Sequence, residues 1–507
     1  MKSILALLLI LCMVLPFAAC GGGGGGGEID PGEQDNYEFI DNVGDHNFEG
    51  GEFVISIFKS YEHEFYKEEL EPDAFDKATE ARNGLIERRF NVELVPVLSA
   101  ATLANDHSAD LCMELLSGND DSLDATLVQL WLAGPVALTA MCYDLRNEVP
   151  YVKDSIGQTA WWDAKINDCY SIYNHQYIGV CDINISAVSS TWACLFNRKM
   201  DQTYAAQTHK MIDTSYSSLY DAVDKGTWTL DNMYKIVKDF WEDNAQGSTP
   251  LSRGADDKFG LLSTTFHSRE SFTNSLGYSL VQNDGQSTPE LFSMTMDMNN
   301  RILDIRNMFA SNGCADDLKI EDTTLKFANE EVLLFLCTLG ALDSDTIHES
   351  DVEFGVLPYP KAKADQKDYY AGSVDAMSTI VLPLNLYDRL ERTGAVVEAL
   401  AAESHNSVLP AYYEVILKHN ATRDLKSVEM IEKIYAGRRY DLAAVHSSSS
   451  SELNTSTGGG LAYIFRELTG DVAKETPADF WEREGANFQD RLEDLIEEYE
   501  YIASLAG

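Results

Sequence analysis

The chain has 507 residues, enough for two domains or more, and hydrophobic residues make up 45% of it, which is ample for packed cores. Acidic residues number 82 against 38 basic ones, so the formal net charge is −44 at pH 7. The electrostatic field of this negative charge repels nucleic-acid phosphates and anionic lipid head groups. This argues against a nucleic-acid-binding protein and against a polybasic membrane contact.

The N-terminal segment predicts an export signal. Lys2 precedes an apolar run, Ile4 to Leu15, and two alanines then lead into Cys20. The run is too short to cross a bilayer, which takes roughly 20 apolar residues. We therefore expect residues 1–19 to be a signal peptide. An ordinary secretory signal followed by a chance cysteine is the alternative.

The Ala-Ala-Cys sequence resembles the lipobox of bacterial lipoproteins, although Phe17 stands where leucine is usual. The resemblance implies that Cys20 becomes the N-terminus and carries a lipid on its sulfur. Seven glycines follow, but Glu28 comes next where a phosphate-binding loop needs lysine and then serine or threonine. We interpret residues 20–48 as the lipidated cysteine and a flexible tether that holds the folded body off the membrane.

The folded body opens with the strand and helix patterns of an α/β protein. Residues 51–58, GEFVISIF, are apolar on both faces, which is typical of a strand buried in a mainly parallel sheet. A helix over 76–90 and a strand over 91–98 follow, so the three segments predict a βαβ unit. Residues 112–131 repeat this order with a helix, a turn and a third strand.

The later part of the chain predicts a strand over 189–199 and a helix over 227–241, with Thr229 as its N-cap. The tail over 477–504 has the pattern of a long amphipathic helix or a pair of helices. A Ser, Thr and Gly-rich loop over 445–460 either borders a cleft or only faces solvent. Further helix and strand material is predicted at 329–342, 354–360 and 369–384.

Seven cysteines lie beyond Cys20, and none forms a Cys-x-x-Cys pair or zinc-finger spacing. An odd number leaves at least one free thiol. Cys169 and Cys181 flank a predicted hairpin, so they form a cross-strand disulfide or stay buried and unpaired. No His-Glu-x-x-His or Gly-x-Ser-x-Gly motif occurs, and residues 243–248 lack the side-chain oxygens of a calcium loop. We predict no catalytic residues, metal or cofactor.

Several stretches, taken in order, resemble the extracellular solute-binding lipoproteins of bacterial ABC importers, in particular the carbohydrate-binding kind related to maltose-binding protein. They are the lipobox and tether, FVISIF, NVELVPV, SGNDDSLDATLVQLW, ACLFNRK, GTWTLDNMYKIVKDF, FANEEVLLFLCTLGAL and FGVLPYPKA. The resemblance implies a two-lobed α/β fold of the periplasmic-binding-protein type II, with hinged lobes and a central cleft. The expected N-terminal lobe is 49–184 plus 376–438, and the expected C-terminal lobe is 185–375 plus 439–507.

The ligand-binding residues are predicted from this resemblance and from sugar chemistry, because sugar rings stack on aromatic side chains and their hydroxyls need fixed polar partners. Trp131 and Tyr61 each follow a predicted strand. The alternative for Trp131 is a tryptophan that packs in the core or at the hinge, and the alternative for Tyr278 and Tyr370 is an ordinary exposed tyrosine. Maltodextrin is a poor ligand candidate, since residues 338–340 lack the aromatic of the relatives. The further predicted ligand-binding residues are Asp182, Trp192, Tyr278, Tyr370 and Asp375.

The resemblance implies a receptor rather than an enzyme. It would capture a sugar or small oligosaccharide and deliver it to the permease subunits of an ABC importer. The chain would be a monomer, lipid-anchored at the extracellular face of the bacterial cell membrane, with no nucleic-acid partner. The alternatives are a surface glycan-degrading enzyme and a ligand-sensing surface lipoprotein.

Overall fold

The computed structural model describes residues 38–66, 72–117, 123–208, 210, 212–213, 215–244, 254–265, 267–316, 320–421, 425–446, 461, 463–470 and 475–505. The predicted signal peptide, Cys20, the glycine run and most of the predicted 445–460 loop lie outside these residues.

Two β-sheets organise the chain, together with a short two-stranded ribbon. The first sheet has the strand order β11-β3-β1-β2, the second has the order β10-β4-β9-β6-β5, and β7 pairs with β8. The strands are β1 (Gly51–Ile57), β2 (Val92–Leu98), β3 (Ala125–Gln129), β4 (Trp192–Asn197), β5 (Trp241–Glu242), β6 (Lys258–Ser263), β7 (Val281–Gln282), β8 (Glu290–Leu291), β9 (Val332–Thr338), β10 (Phe354–Leu357) and β11 (Ser378–Val381).

Helices pack around both sheets. The described α-helices are α1 (Ala74–Phe90), α2 (Ala104–Ser117), α3 (Leu130–Ala137), α4 (Val152–Ser155), α5 (Ala164–Asn167), α6 (Ser186–Ser189), α7 (Arg198–Thr203), α8 (Leu219–Asp224), α9 (Leu230–Val237), α10 (His267–Ser275), α11 (Met296–Phe309), α12 (Thr323–Ala328), α13 (Asp345–His348), α14 (Leu390–Glu403), α15 (Leu409–Ala421), α16 (Leu425–Ala436), α17 (Leu442–Val445), α18 (Tyr463–Thr469) and α19 (Pro477–Leu505). Short 3₁₀ helices cover Lys59–Glu64, Ala160–Trp162, Leu339–Asp343 and Leu384–Arg389, and one π-helical turn covers Ser404–Val408.

The predicted βαβ unit is present. Strands β1 and β2 run parallel, with α1 between them in the chain, and β1 also pairs in parallel with β3. The helix begins where Asp73 forms a capping box with Asp76 and ends at Asn91, which takes the left-handed conformation at φ 49°. The sequence predicts this unit from the apolar periodicity of the helix and of the two strands, and the two end signals flank that periodic run.

Two sequence predictions need correction. Strand β1 buries Phe53, Ile55 and Ile57 but leaves its other face only half-buried, so it is not apolar-packed on both faces as predicted. The helix predicted over 227–241 ends at residue 237, because the chain then turns and Trp241 pairs with β6 as a short strand. The N-cap is confirmed: the Thr229 hydroxyl accepts a hydrogen bond from the Asn232 backbone N–H at 3.4 Å.

The strand directions place the carboxyl-end edge of the first sheet next to the start of β4 in the second sheet. The carboxyl ends of β1, β2 and β3 lie at one edge of the first sheet, since these strands are parallel. Strand β11 is antiparallel to β3, and its first residue, Ser378, lies opposite Gln129. The connecting segment 371–377 therefore reaches the same edge, and the backbone carbonyl of Gly372 accepts a hydrogen bond from the Trp192 N–H of the second sheet at 3.0 Å.

Among the described residues, three of the segments that pass between the two sheets matter for the site. The first leads from β3 to β4, the second is the segment 371–377, and the third runs through the π-helical turn between α14 and α15. Helix α16 contacts β10 of the second sheet, which favours grouping 425–436 with that sheet. The lobe boundaries given above stay a prediction. No helix among the described residues is both long and apolar enough to cross a membrane.

Cysteine alkylation is expected to label Cys112 alone among the seven cysteines of the folded body. Among the described residues the structure shows no disulfide between these cysteines, and only Cys112 of the seven is partly exposed. Burial also raises the pKa of the Cys112 and Cys142 thiols, to about 12 for Cys142, which lowers the population of the reactive thiolate. Peptide mass spectrometry after iodoacetamide treatment measures this, with denaturant releasing all seven. A recovered Cys169–Cys181 disulfide would contradict the structure.

Candidate functional site

A cavity of about 510 Å³, counting the part open to solvent, lies where the second sheet meets the segment 371–377. We call it the interlobe pocket because the segment 371–377 beside it connects the two sheets. It is lined by Trp192, His267, Glu270, Ser271, Asn274, Leu280, Ser373, Val374, Asp375, Asp441, Ala443, Ala444 and Phe465.

Trp192 forms one wall of this pocket. It is the first residue of β4, and its side chain is 1% exposed and meets the Tyr359 ring edge-on, with centroids 6.3 Å apart. Within the part of the chain that the structure describes, the indole Nε1–H has no hydrogen-bond partner. A buried donor of this kind costs free energy unless something accepts its hydrogen bond. An acceptor on a ligand in the pocket would satisfy it.

Two carboxyl groups and an imidazole form the charged side of the pocket. His267 Nδ1 lies 3.1 Å from Glu270 Oε2, one helical turn along α10. Burial opposes the charge on His267, but the hydrogen bond to Glu270 and the charges of Glu270 and Asp375 raise the pKa of this histidine overall. Burial, together with the charge of Glu270, raises the pKa of Asp375 against the opposing effect of His267.

Asp441 closes the pocket from the C-terminal part of the chain. Its carboxylate accepts hydrogen bonds from the backbone N–H groups of Leu280 at 2.5 Å, Val281 at 3.2 Å and Ala443 at 3.0 Å. Burial raises the pKa of Asp441 to about 6, although these N–H groups lower it. The carboxylate is thus fixed in place and joins β7 to α17.

The structure brings two of the predicted residues, Trp192 and Asp375, into the interlobe pocket. Two others lie beside it. The Tyr61 hydroxyl donates to the Ala376 carbonyl at 2.5 Å, and the Trp131 backbone N–H donates to the Asp375 carbonyl at 3.2 Å. Tyr61 is not among the residues that line the pocket, and through this hydrogen bond it supports the segment 371–377 from the first sheet.

The remaining predicted residues are elsewhere. Asp182 lies 2.5 Å from His405 Nδ1 and lines a second cavity, of about 330 Å³. The Tyr278 hydroxyl lies 3.4 Å from Asp297 Oδ2. Tyr370 stacks under the Arg439 guanidinium, 4.6 Å from its ring centroid. None of these three side chains lines the interlobe pocket, and their part in binding stays a prediction.

Sequence reasoning missed the residues that α10 and the C-terminal part bring to the pocket. Helix α10 follows the carboxyl end of β6, so a strand prediction at 258–263 would have drawn attention to His267 and Glu270. Asp441 had no comparable signal, because it reaches the pocket only through long-range packing. Across the described residues, no group of three or more His, Cys, Asp or Glu could hold a metal ion.

No protein-family model and no curated protein sequence matches the chain. Its structure is similar to that of a family 1 extracellular solute-binding protein from Bifidobacterium longum subsp. infantis, with a TM-score of 0.50 and 13% identity, covering 90% of this chain and 100% of that one.

Two other solved structures are similar at lower scores. One is an ABC transporter solute-binding protein from Thermotoga lettingae bound with alpha-D-tagatose, at TM-score 0.47 and 10% identity, covering 87% of this chain and 100% of that one. The other is an ABC substrate-binding protein from Listeria monocytogenes in complex with cycloalternan, at TM-score 0.47 and 12% identity, covering 87% and 98%. The likeness to the Bifidobacterium protein concerns the fold, and this chain has the two-lobed α/β fold of that solute-binding protein, as its sequence predicted.

Proposed function

We propose that this protein is an extracellular solute-binding lipoprotein that captures a sugar or small oligosaccharide for an ABC importer and performs no chemistry on it. The observation that carries the proposal is Trp192, an aromatic wall of the interlobe pocket whose indole N–H has no partner among the described residues. Sugars offer C–H faces for such a ring and hydroxyl oxygens for such a donor.

The other polar groups of the pocket suit hydroxyl recognition. Asn274, Ser271 and Ser373 supply donors and acceptors, and Glu270 and Asp375 supply acceptors. They come from α10 and from the segment 371–377 that connects the sheets, so a ligand held by both restrains that connection. We infer that this favours a closed arrangement of the lobes, by a shift of population toward the ligand-bound state, which a permease would read.

The fold and the sequence pattern support the rest of the assignment. We infer lipid attachment at Cys20, a monomeric chain at the extracellular face of the cell membrane, and permease subunits of an ABC importer as partners. Nucleic acid is no partner, and no cofactor is needed. Under this proposal Asp182, Tyr278 and Tyr370 contact the ligand only if it extends beyond the interlobe pocket.

A panel of sugars and oligosaccharides, read by thermal shift and calorimetry, tests the proposal. One class of sugar is expected to bind saturably and to stabilise the protein by about 2.7 kcal/mol at 100 times its Kd. Chromatography of the same mixtures is expected to return the sugar unchanged. Release of a cleavage product would instead identify a glycan-degrading enzyme, and binding to none of the panel would contradict carbohydrate capture.

Trp192→Phe is expected to weaken the identified sugar about tenfold, since it keeps an aromatic wall but removes one hydrogen-bond donor. Calorimetry measures the Kd. Trp228→Phe is the matched control, because Trp228 is equally buried but its N–H donates to the Pro358 carbonyl at 2.8 Å. That control should lower stability and leave the Kd unchanged. Equal Kd values for wild type and Trp192→Phe would show that the Trp192 indole N–H does not contact the sugar.

A further inference from the structure

Acidic groups outnumber basic groups among the residues that line the interlobe pocket. Three carboxyl groups line it, those of Glu270, Asp375 and Asp441, against one imidazole, that of His267. No lysine or arginine is among the described residues that line it. Arg466 and Arg439 act electrostatically on His267 and Asp441 from outside the lining, so the excess of negative charge is reduced there but not around Asp375.

Two of the three carboxyl groups already have partners. Glu270 lies 3.1 Å from His267, and Asp441 accepts three backbone N–H groups. Each is therefore compensated inside the protein, as buried or half-buried carboxylates usually are.

Asp375 differs from them. Tyr61, His267 and Glu270 interact with it electrostatically, but in the described chain no donor side chain lies within hydrogen-bond distance of its carboxyl oxygens. Its backbone carbonyl is held by Trp131, so the residue is fixed while its side chain stays available. Its own backbone N–H donates to the carboxyl group, but no other described residue does, and a half-buried carboxylate of this kind is completed most strongly by a positively charged donor.

A second observation in the same pocket points to a ligand independently. The Trp192 indole N–H is buried and has no acceptor within the described residues, and an occupant of the pocket with an oxygen acceptor would satisfy it. An amino sugar has both groups, an ammonium and ring hydroxyls, together with an apolar face for the indole.

We propose that the sugar bound in the interlobe pocket carries a protonated amino group, which sits against the Asp375 carboxylate. This inference rests on the proposed sugar-binding function and names its ligand class. Sugars with carboxylate, sulfate or phosphate groups are excluded by the same charges, because like charges in a partly desolvated pocket repel.

The test uses calorimetry with glucosamine, galactosamine and mannosamine, the matching neutral hexoses, the N-acetylated forms and short oligomers of each. It is run at about pH 6, where the amines are protonated. At least one amine is expected to bind about tenfold or more tightly than its neutral and N-acetylated counterparts. Its affinity should also fall with added salt, which leaves neutral sugars unaffected.

Asp375→Asn is expected to abolish this preference, and Asp368→Asn, at an exposed position of the same chain region, is expected to keep it. The salt dependence is measured on the wild-type protein. It therefore tests whether the bound sugar carries a positive charge even if Asp375→Asn fails to fold. Neutral sugars that bind as tightly as the amines would overturn this inference and leave the proposed function standing. An amine preference that persists in Asp375→Asn would overturn the assignment to Asp375, and binding to no sugar of any charge would overturn both proposals.

Discussion

Arg82→Ala is expected to lower the free energy of unfolding by about 3–5 kcal/mol, because it leaves buried hydrogen-bond acceptors without a donor and creates a cavity. Arg82 lies in α1 and is 1% exposed. Its Nη1 donates to Ser404 Oγ at 2.9 Å, and its Nη2 donates to the Glu64 carbonyl at 3.0 Å. Removing the guanidinium leaves both acceptors unsatisfied and opens a cavity against Phe65, over whose ring it lies at 5.3 Å.

The network extends through Glu64 to the other connections between the sheets. The fully buried Glu64 side chain accepts from the Ser186 backbone N–H at 2.7 Å and from the Ser378 hydroxyl at 2.5 Å. Ser186 belongs to the first connection, Ser378 follows the second, and Ser404 begins the third. One buried cluster thus joins all three, which explains why we expect a large effect from a residue far from the interlobe pocket.

Urea or guanidinium unfolding, followed by circular dichroism, measures the change. Arg88→Ala is the matched control, because Arg88 lies in the same helix but is exposed. It should change the free energy of unfolding by no more than about 0.5 kcal/mol. Similar values for the two variants would show that the buried network contributes little to stability.

Glu398→Gln is expected to flatten the dependence of stability on pH between about pH 4.5 and 8. The Glu398 side chain is fully buried and accepts from Ser155 Oγ at 2.6 Å, Trp161 Nε1 at 2.9 Å and Trp162 Nε1 at 2.8 Å. Burial raises its pKa from 4.5 to about 7, although these three donors lower it. The folded state therefore holds this proton more tightly than the unfolded state does.

The direction of the effect follows from proton binding. Below about pH 4.5 both states hold the proton and the contribution of Glu398 is fully present. As the pH rises toward 7 the unfolded state loses its proton first, so the folded state loses stability. The shift corresponds to about 3 kcal/mol in the wild type. Glutamine does not titrate, so the variant lacks this loss even if it is less stable at every pH.

Denaturant unfolding at a series of pH values gives the difference between wild type and variant. Glu391→Gln, at an exposed position in the same helix α14, is the control and should keep the wild-type slope. Parallel curves for wild type and Glu398→Gln across this range would contradict a raised pKa at Glu398.

The sequence by itself determined the local elements and predicted two of the residues that line the interlobe pocket. The βαβ unit, the Thr229 cap and the long C-terminal helix follow from apolar periodicity and from end signals that lie within a few residues of one another. Trp192 was predicted as well, from a resemblance that placed it next to a connection between the lobes. Asp375 followed from the same resemblance.

Only the tertiary structure decided which side chains meet. Glu398 finds its donors more than 230 residues away in the chain, and Tyr61 finds the Ala376 carbonyl 315 residues away. Asp441 and His267 reach one pocket from separate elements, through the packing of α17 and the register of β6 against β9. Local periodicity fixes a helix or a strand, but these distant contacts depend on strand order and register, which no short stretch of residues specifies.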